Sequence, residues 1–276
     1  MSDDTNTTET PAKLRGDLWG ERARDWAEVM EGWDGWGIPL YRHVLERVPV
    51  GSGTRLLDVG CGAGRFCRIA ADRGAEVAGI DASGPLVEIA RERVPSADFR
   101  VGDMEQLPWA DESFDIVTGF NSFFIAGDIA NALREARRVS RAGGIVAMTV
   151  FGRPDRCQST PVFSSLAQFA PSQPKDDEQA DGEAGPSLHQ AGVLEAIATE
   201  AGLAPKEAAY VSVAEHYPDL ETMVRGYRAG APFVRAARAA GGEGVQAALS
   251  EALRPLEIST GGYRLEDELR YLIAVA

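Results

Sequence analysis

Leu56-Leu57-Asp58-Val59-Gly60-Cys61-Gly62-Ala63-Gly64-Arg65-Phe66 runs an apolar, β-prone stretch into three glycines at alternate positions and then into a helical pattern. Glycine suits that junction because the chain must turn sharply and bring backbone N–H groups up to a ligand with no Cβ in the way. Twenty-one residues after Gly60, Asp81 follows the apolar run Val77 to Ile80. A carboxylate at the carboxyl end of a strand can accept hydrogen bonds from both ribose hydroxyls. Together the loop and the acid describe a nucleoside site. The spacing is G-x-G-x-G, and Arg65 stands where a G-x-G-x-x-G dinucleotide fingerprint wants its third glycine, which counts against a pyrophosphate ligand. Asp58, at a strand end, is expected to support the turn that follows it.

Outward from this segment, β-rich runs at 55–59, 76–80, 98–101, 114–118 and 145–151 alternate with helical patterns at about 64–73, 85–92 and 129–141. Repeated βα units of this length predict a mostly parallel sheet covered on both faces. Downstream the pattern predicts a helix at 190–201, a strand at 206–213, helices at 220–228 and 234–253, and a last strand at 268–275. Upstream, Trp19, Ala23, Trp26, Ala27 and Met30 share a helical face, and a second helix runs from about Pro39 to Val48. The predicted organisation is a loose polar tail at 1–12, a helical lid at 13–50, a core at 51–213, a helical cap insertion at 214–266 and a final core strand at 267–276. Residues 172–186 read as an exposed acidic loop.

The chain has 276 residues, with 28 basic against 42 acidic side chains and a net charge of −14. That excess of acid argues against a phosphate-tracking surface, so nucleic acid is not an expected partner. No stretch approaches the roughly 20 apolar residues of a membrane helix, and no basic-then-apolar signal opens the chain, so a cytoplasmic protein is expected. Three cysteines are too few for a disulfide framework, and nothing accompanies Cys61 and Cys67 to make a zinc site, so no metal is expected. Oligomeric state is not encoded in any feature we recognise.

The segment from about Gly53 to Phe151 resembles the class I S-adenosylmethionine-dependent methyltransferases, within them the small-molecule group that includes the quinone-biosynthesis C-methyltransferases. Its glycine motif corresponds to Leu56–Gly64, its ribose-binding acid to Asp81 in Gly79-Ile80-Asp81-Ala82-Ser83, and its adenine block to Gly102-Asp103-Met104-Glu105. Asp111–Val117 and Arg138–Gly144 match two further blocks, Ala142 replacing the proline found in many relatives. The resemblance implies a Rossmann-like, doubly wound α/β fold with a seven-strand sheet and S-adenosyl-L-methionine as cofactor. It assigns Asp58, Gly60, Cys61, Gly62, Gly64, Asp81, Ala82, Asp103, Met104, Phe120 and Asn121 to the cofactor. Phe120-Asn121-Ser122-Phe123 stands where amino-directed DNA methyltransferases have N-P-P-Y; it has no proline, which points to a small-molecule acceptor.

Ligands of doubly wound folds sit at the carboxyl ends of the strands, so the lid, the loop after Phe151 and the cap insertion are expected to hold the acceptor. Trp33, Trp36 and Tyr41 are candidate lid residues that exclude water, whereas Trp19 and Trp26 suit docking onto the core. His216, at the carboxyl end of the strand 206–213 and flanked by Glu215 and Tyr217, is the candidate general base. The expected reaction is methyl transfer to an O, N or activated C atom of a fairly apolar metabolite. Two alternatives share parts of the pattern: a nicotinamide-dependent oxidoreductase, and a non-catalytic module that binds S-adenosylmethionine.

Overall fold

A computed structural model describes residues 10–32, 35, 37–169 and 187–276. The lid candidates Trp33 and Trp36, residues 1–9 of the tail and the acidic loop at 172–186 lie outside these residues. Seven strands form one sheet: β1 (Arg55–Val59), β2 (Glu76–Asp81), β3 (Asp98–Val101), β4 (Phe114–Phe120), β5 (Ser140–Phe151), β6 (Ala204–Tyr217) and β7 (Tyr263–Val275). Their order is β3-β2-β1-β4-β5-β7-β6. The first five pair in parallel, and β7 runs antiparallel between β5 and β6.

Strand alternation builds a core on each face. Leu57, Val59 and Val117 pack with Leu133 and Ala136 of α6 (Ile129–Val139) and Leu194 of α8 (Val193–Glu200). Their neighbours Leu56 and Ile116 pack on the other face with Val44 of α3 (Ile38–Leu45), Phe66 of α4 (Arg65–Asp72) and Val87 of α5 (Gly84–Arg93). Several helices start where their sequence supplies a capping oxygen. Ser83 accepts from the Leu86 N–H, and Asp128 accepts from the Asn131 N–H at 3.0 Å.

Residues 11 and 12, read as part of the tail, open α1 (Pro11–Gly20), which Thr10 caps by accepting from the Lys13 N–H at 3.2 Å. The single helix predicted over the tryptophans is instead α1, a short α2 (Ala23–Asp25) and a π-helical turn Trp26–Met30. The helix expected at 234–253 is two, α10 (Ala231–Ala240) and α11 (Gly242–Leu253), separated at Gly241, whose φ is +92°. With α9 (Leu220–Tyr227) they form the cap, against which α7 (Thr160–Ser164) also packs.

The largest departure concerns the last two strands. β6 and β7 stay paired out to Tyr217↔Tyr263, whereas β5 leaves the sheet at Phe151↔Leu269. Residues 214–217 and 263–266, read as part of the cap insertion, are therefore strand. Six residues of β7 beyond Leu269 make a two-strand arm that overhangs the carboxyl edge of the parallel sheet by about 20 Å. Among the described residues no helix is long and apolar enough to cross a membrane, and no cluster of three or more His, Cys, Asp or Glu side chains is placed to hold a metal.

Candidate functional site

The glycine loop turns over the end of β1 with φ values of +75° at Gly60, +54° at Gly62 and +78° at Gly64, a region that L side chains rarely enter. The Gly60 and Cys61 N–H groups donate to the Ile80 carbonyl at 2.8 and 3.0 Å, fastening the loop to the end of β2. The buried Asp58 lies beneath, accepting from the Thr118 hydroxyl at 2.7 Å and facing the Cys67 thiol. It ties β1 to β4 and supports the turn from below, and burial pushes its carboxyl up to about 7. Cys61 is likewise buried, its thiol 3.8 Å from the Gly62 carbonyl oxygen.

Asp81 ends β2 beside that loop. One carboxylate oxygen accepts from the Gly62 N–H at 2.9 Å and the other from the Ser83 N–H at 2.8 Å. Desolvation outweighs these two bonds and raises its carboxyl to about 6. Ala82 follows, and its carbonyl is covered by α1 at Gly16, where a Cβ would collide with it. The approach of α1 to the β2–α5 turn thus depends on Gly16 having no side chain.

Nothing in the sequence singled out Glu31, yet it is the residue most closely engaged with the loop. Its Oε1 accepts from the Ala63 N–H at 2.8 Å and from the Trp26 indole at 2.9 Å. Its Oε2 accepts from the Arg65 N–H at 3.2 Å and pairs with the Arg93 guanidinium at 2.7 Å. A helix N-terminus presents unsatisfied N–H groups and a partial positive charge, and here the Glu31 carboxylate takes them. Trp26 and Trp19, 4.8 Å apart edge to face, hold this segment down on Ala63, Leu86 and Ile89. An isolated Glu after a helical run carries no signal of such a contact, since its partners lie 32 and 62 residues away.

At the end of β4, Asn121 has a φ of +48°, uncommon for a non-glycine residue. Its Oδ1 accepts from the Thr149 hydroxyl at 3.0 Å, while its buried Nδ2 has no hydrogen-bond partner. Phe120 turns the other way, into a cluster with Phe66 at 4.5 Å and Tyr41 at 4.7 Å. Tyr41, a candidate lid residue, is buried in this packing. Asp103 accepts from the Glu105 N–H at 3.0 Å, and the half-buried Met104 packs on the core.

His216 is exposed, while Glu215 and Tyr217 on either side of it are buried. Extended backbone alternates faces, so the overhanging arm carries the imidazole outward and its two neighbours under the cap. His216, the candidate base, thus lies on the opposite face of the strand from Glu215 and Tyr217. Glu215 Oε2 accepts a hydrogen bond from the Tyr217 hydroxyl, and Glu215 shares its face of the arm with Asp267. Burial and the nearby Asp267 carboxylate push Glu215 up to about 8, against the lowering effect of Tyr217.

Comparison with known proteins bears on this geometry. Residues 57–148 match the family described as a methyltransferase domain. A malonyl-[acyl-carrier protein] O-methyltransferase of Salmonella typhimurium is 39% identical over 94 residues, covering 34% of this chain and 38% of that protein. The 27-O-demethylrifamycin SV methyltransferase of Amycolatopsis mediterranei is 34% identical over 149 residues, 51% of this chain and 55% of that one. The chain thus spans about half or less of the length of these relatives. The crystal structure of the YcgJ protein of Bacillus subtilis superposes with a TM-score of 0.56 at 20% identity, covering 85% of this chain and 97% of that one, which concerns the fold alone. The segment that holds the glycine loop and Asp81 is thus similar to a methyltransferase domain.

Proposed function

We propose that the protein transfers the methyl group of S-adenosyl-L-methionine to a small, neutral, fairly apolar metabolite. The observation that carries the cofactor half of this reading is the donor set at the amino end of α4. The Ala63 and Arg65 N–H groups and the Arg93 guanidinium already hold one carboxylate, that of Glu31. They suit the carboxylate of a methionyl group equally well. Asp81 stands at the strand end where two ribose hydroxyls would find an acceptor, and Asp103 with the Met104 backbone would border the adenine. The unpartnered Nδ2 of Asn121 is a further buried donor at the edge of this site.

When bound, the cofactor supplies an electrophilic methyl group on a sulfonium. The residues of the chain bind, orient and dry the site. Asp81 holds the ribose, the glycine loop accommodates the methionyl end, and the lid from α1 to Met30 closes above them. Holding the reacting atoms in line can contribute on the order of 7 to 11 kcal/mol to the rate. Cofactor entry requires the lid to lift, because Glu31 occupies the carboxylate donors. We place the acceptor between the arm, the cap and the ends of β4 and β5. With a charge of −14 the chain is not suited to nucleic acid, and a soluble metabolite enzyme of the cytoplasm fits best.

Calorimetric titration with S-adenosylmethionine and S-adenosylhomocysteine tests the cofactor reading, the expected result being micromolar binding of both. A mass-spectrometric screen of metabolite extracts for a protein-dependent gain of one methyl group tests the transfer. Absence of binding by either compound would overturn the proposal.

A further inference from the structure

The overhanging arm carries two buried carboxyls that the fold does not satisfy. Glu215 and Asp267 are each 1% exposed. Glu215 Oε2 is taken by the Tyr217 hydroxyl and Asp267 Oδ1 by the Ser159 N–H at 2.9 Å. Glu215 Oε1 and Asp267 Oδ2 have no partner. An acceptor buried without a donor is costly, and two on one face are costlier still. Hydrophobic side chains would pack there at less cost, so the pair is a feature the fold alone does not require.

Its position matches what an acceptor site needs. The arm reaches past the carboxyl edge of the sheet, and the Tyr217 hydroxyl lies 3.7 Å from the Met30 sulfur, one residue from the Glu31 that sits on the glycine loop. An aromatic row leads to the same place from the ends of β4 and β5. Phe124 and Phe151 are 6.1 Å apart, Phe151 and Phe163 5.9 Å, and Phe163 and Tyr227 6.4 Å. Phe124 and Phe163 are the exposed members of that row. An apolar wall thus ends at two acceptor oxygens.

We infer that Glu215 and Asp267 form the polar end of the methyl-acceptor site and select a neutral aromatic metabolite by the hydrogen its hydroxyl group donates, Glu215 then taking that proton. This inference rests on the proposed methyltransferase reading and names its substrate class. The hydroxyl hydrogen leaves as a proton to Oε1 of the ionised Glu215 carboxylate, and the electron pair left on oxygen forms the new bond to carbon. The carbon–sulfur pair departs on sulfur as a neutral thioether, so atoms and charge balance. Tyr217 positions Glu215 through its hydrogen bond. The other ionisable groups facing Glu215 are Asp267 on β7 and Tyr227 on α9. A carboxylate substrate would meet two buried acids and is excluded by the same geometry.

Three probes of one shape separate the possibilities: 4-phenylphenol, its methyl ether 4-methoxybiphenyl, and biphenyl-4-carboxylate. Binding of each to the full chain loaded with S-adenosylhomocysteine is measured by calorimetry. The phenol should bind at least tenfold more tightly than the ether or the carboxylate. Glu215→Gln and Asp267→Asn should each reduce that preference to threefold or less, leave S-adenosylhomocysteine affinity within twofold of wild type, and raise the melting temperature. A merely structural pair would instead lower it. Equal binding of the three probes, tightest binding of the carboxylate, no binding of any probe, or an undiminished preference in both variants would overturn the inference. Failure of wild type to bind S-adenosylhomocysteine would overturn the cofactor reading beneath it, and that is read in a separate titration.

Discussion

Glu31 Oε1 lies 2.8 Å from the Ala63 nitrogen, so a lid carboxylate occupies the amino end of α4. A ligand carboxylate bound there must displace it. Glu31→Ala is expected to tighten S-adenosylmethionine binding about tenfold, because the internal competitor is gone. The same change should lower stability by about 3 kcal/mol, since Arg93 loses a buried partner. Titration and denaturant unfolding of one protein read both effects. Weaker binding in the variant would mean that Glu31 belongs to the cofactor's own contacts.

For Asp81→Ala we expect a loss of roughly 2 to 4 kcal/mol in cofactor binding, from two hydrogen bonds to a charged acceptor. Ionisation of this carboxyl near pH 6 adds a sign: wild-type affinity should rise as pH passes from 5 to 7, and the variant should lose that rise. A pH-independent wild-type dissociation constant would remove Asp81 from the ribose.

Stability against pH should run opposite to the usual acid denaturation over part of its range. Asp58, Asp81 and Glu215 have folded values of about 7, 6 and 8, above their unfolded values of 3.8, 3.8 and 4.5. The folded state therefore binds more protons between about pH 4 and 8, and stability falls as pH rises through that window. Carboxylates held low by arginines, such as Glu135 beside Arg138 and Glu268 beside Arg153, act below it and lose their contribution as pH drops through their own folded values. The melting temperature should peak near pH 5 and fall by several degrees by pH 8, with a shallower fall in Glu215→Gln. A flat profile identical in both proteins would contradict the burial argument.

Gly16→Val should separate α1 from the Ala82 carbonyl it now touches. Overpacking of this kind costs about 1 to 3 kcal/mol. Deleting residues 1–37 should do more than uncover the site, because Val29 and Met30 belong to the core of the cap. The truncated protein is expected to expose that cap and aggregate, as read by light scattering. A monodisperse, fully folded product would show that the cap stands without the lid.

His216→Ala is expected to leave turnover within about twofold, while Glu215→Gln lowers it by on the order of 10² or more. The comparison on one identified acceptor distinguishes the two neighbours. A reversed outcome would return the base to the imidazole.

Local sequence was sufficient for the parallel half of the fold. Leu56–Phe66, Asp81 and Asp103 are close-range signals: an apolar run, glycines where φ is positive, and an acid at a strand end. Each constrains backbone within a few residues, so β1 to β5 and the glycine turn could be read without contacts. The arm could not, because Tyr263–Asp267 mixes charged and apolar residues and becomes strand only by pairing with Val213–Tyr217, some 50 residues earlier. Which of Glu215, His216 and Tyr217 faces the cap was likewise undetermined, since a shift of one residue inverts the faces of a strand. Glu31 shows the same limit: its carboxylate has meaning only once the lid folds onto α4, and that depends on packing between Trp26, Ala63, Leu86 and Ile89. The sequence by itself determined the glycine turn after β1 and the place of Asp81 at the end of β2, because short-range backbone geometry produces them. Tertiary structure alone decided the contact of Glu31 with α4 and the burial of Glu215 and Asp267, because long-range pairing and burial produce those.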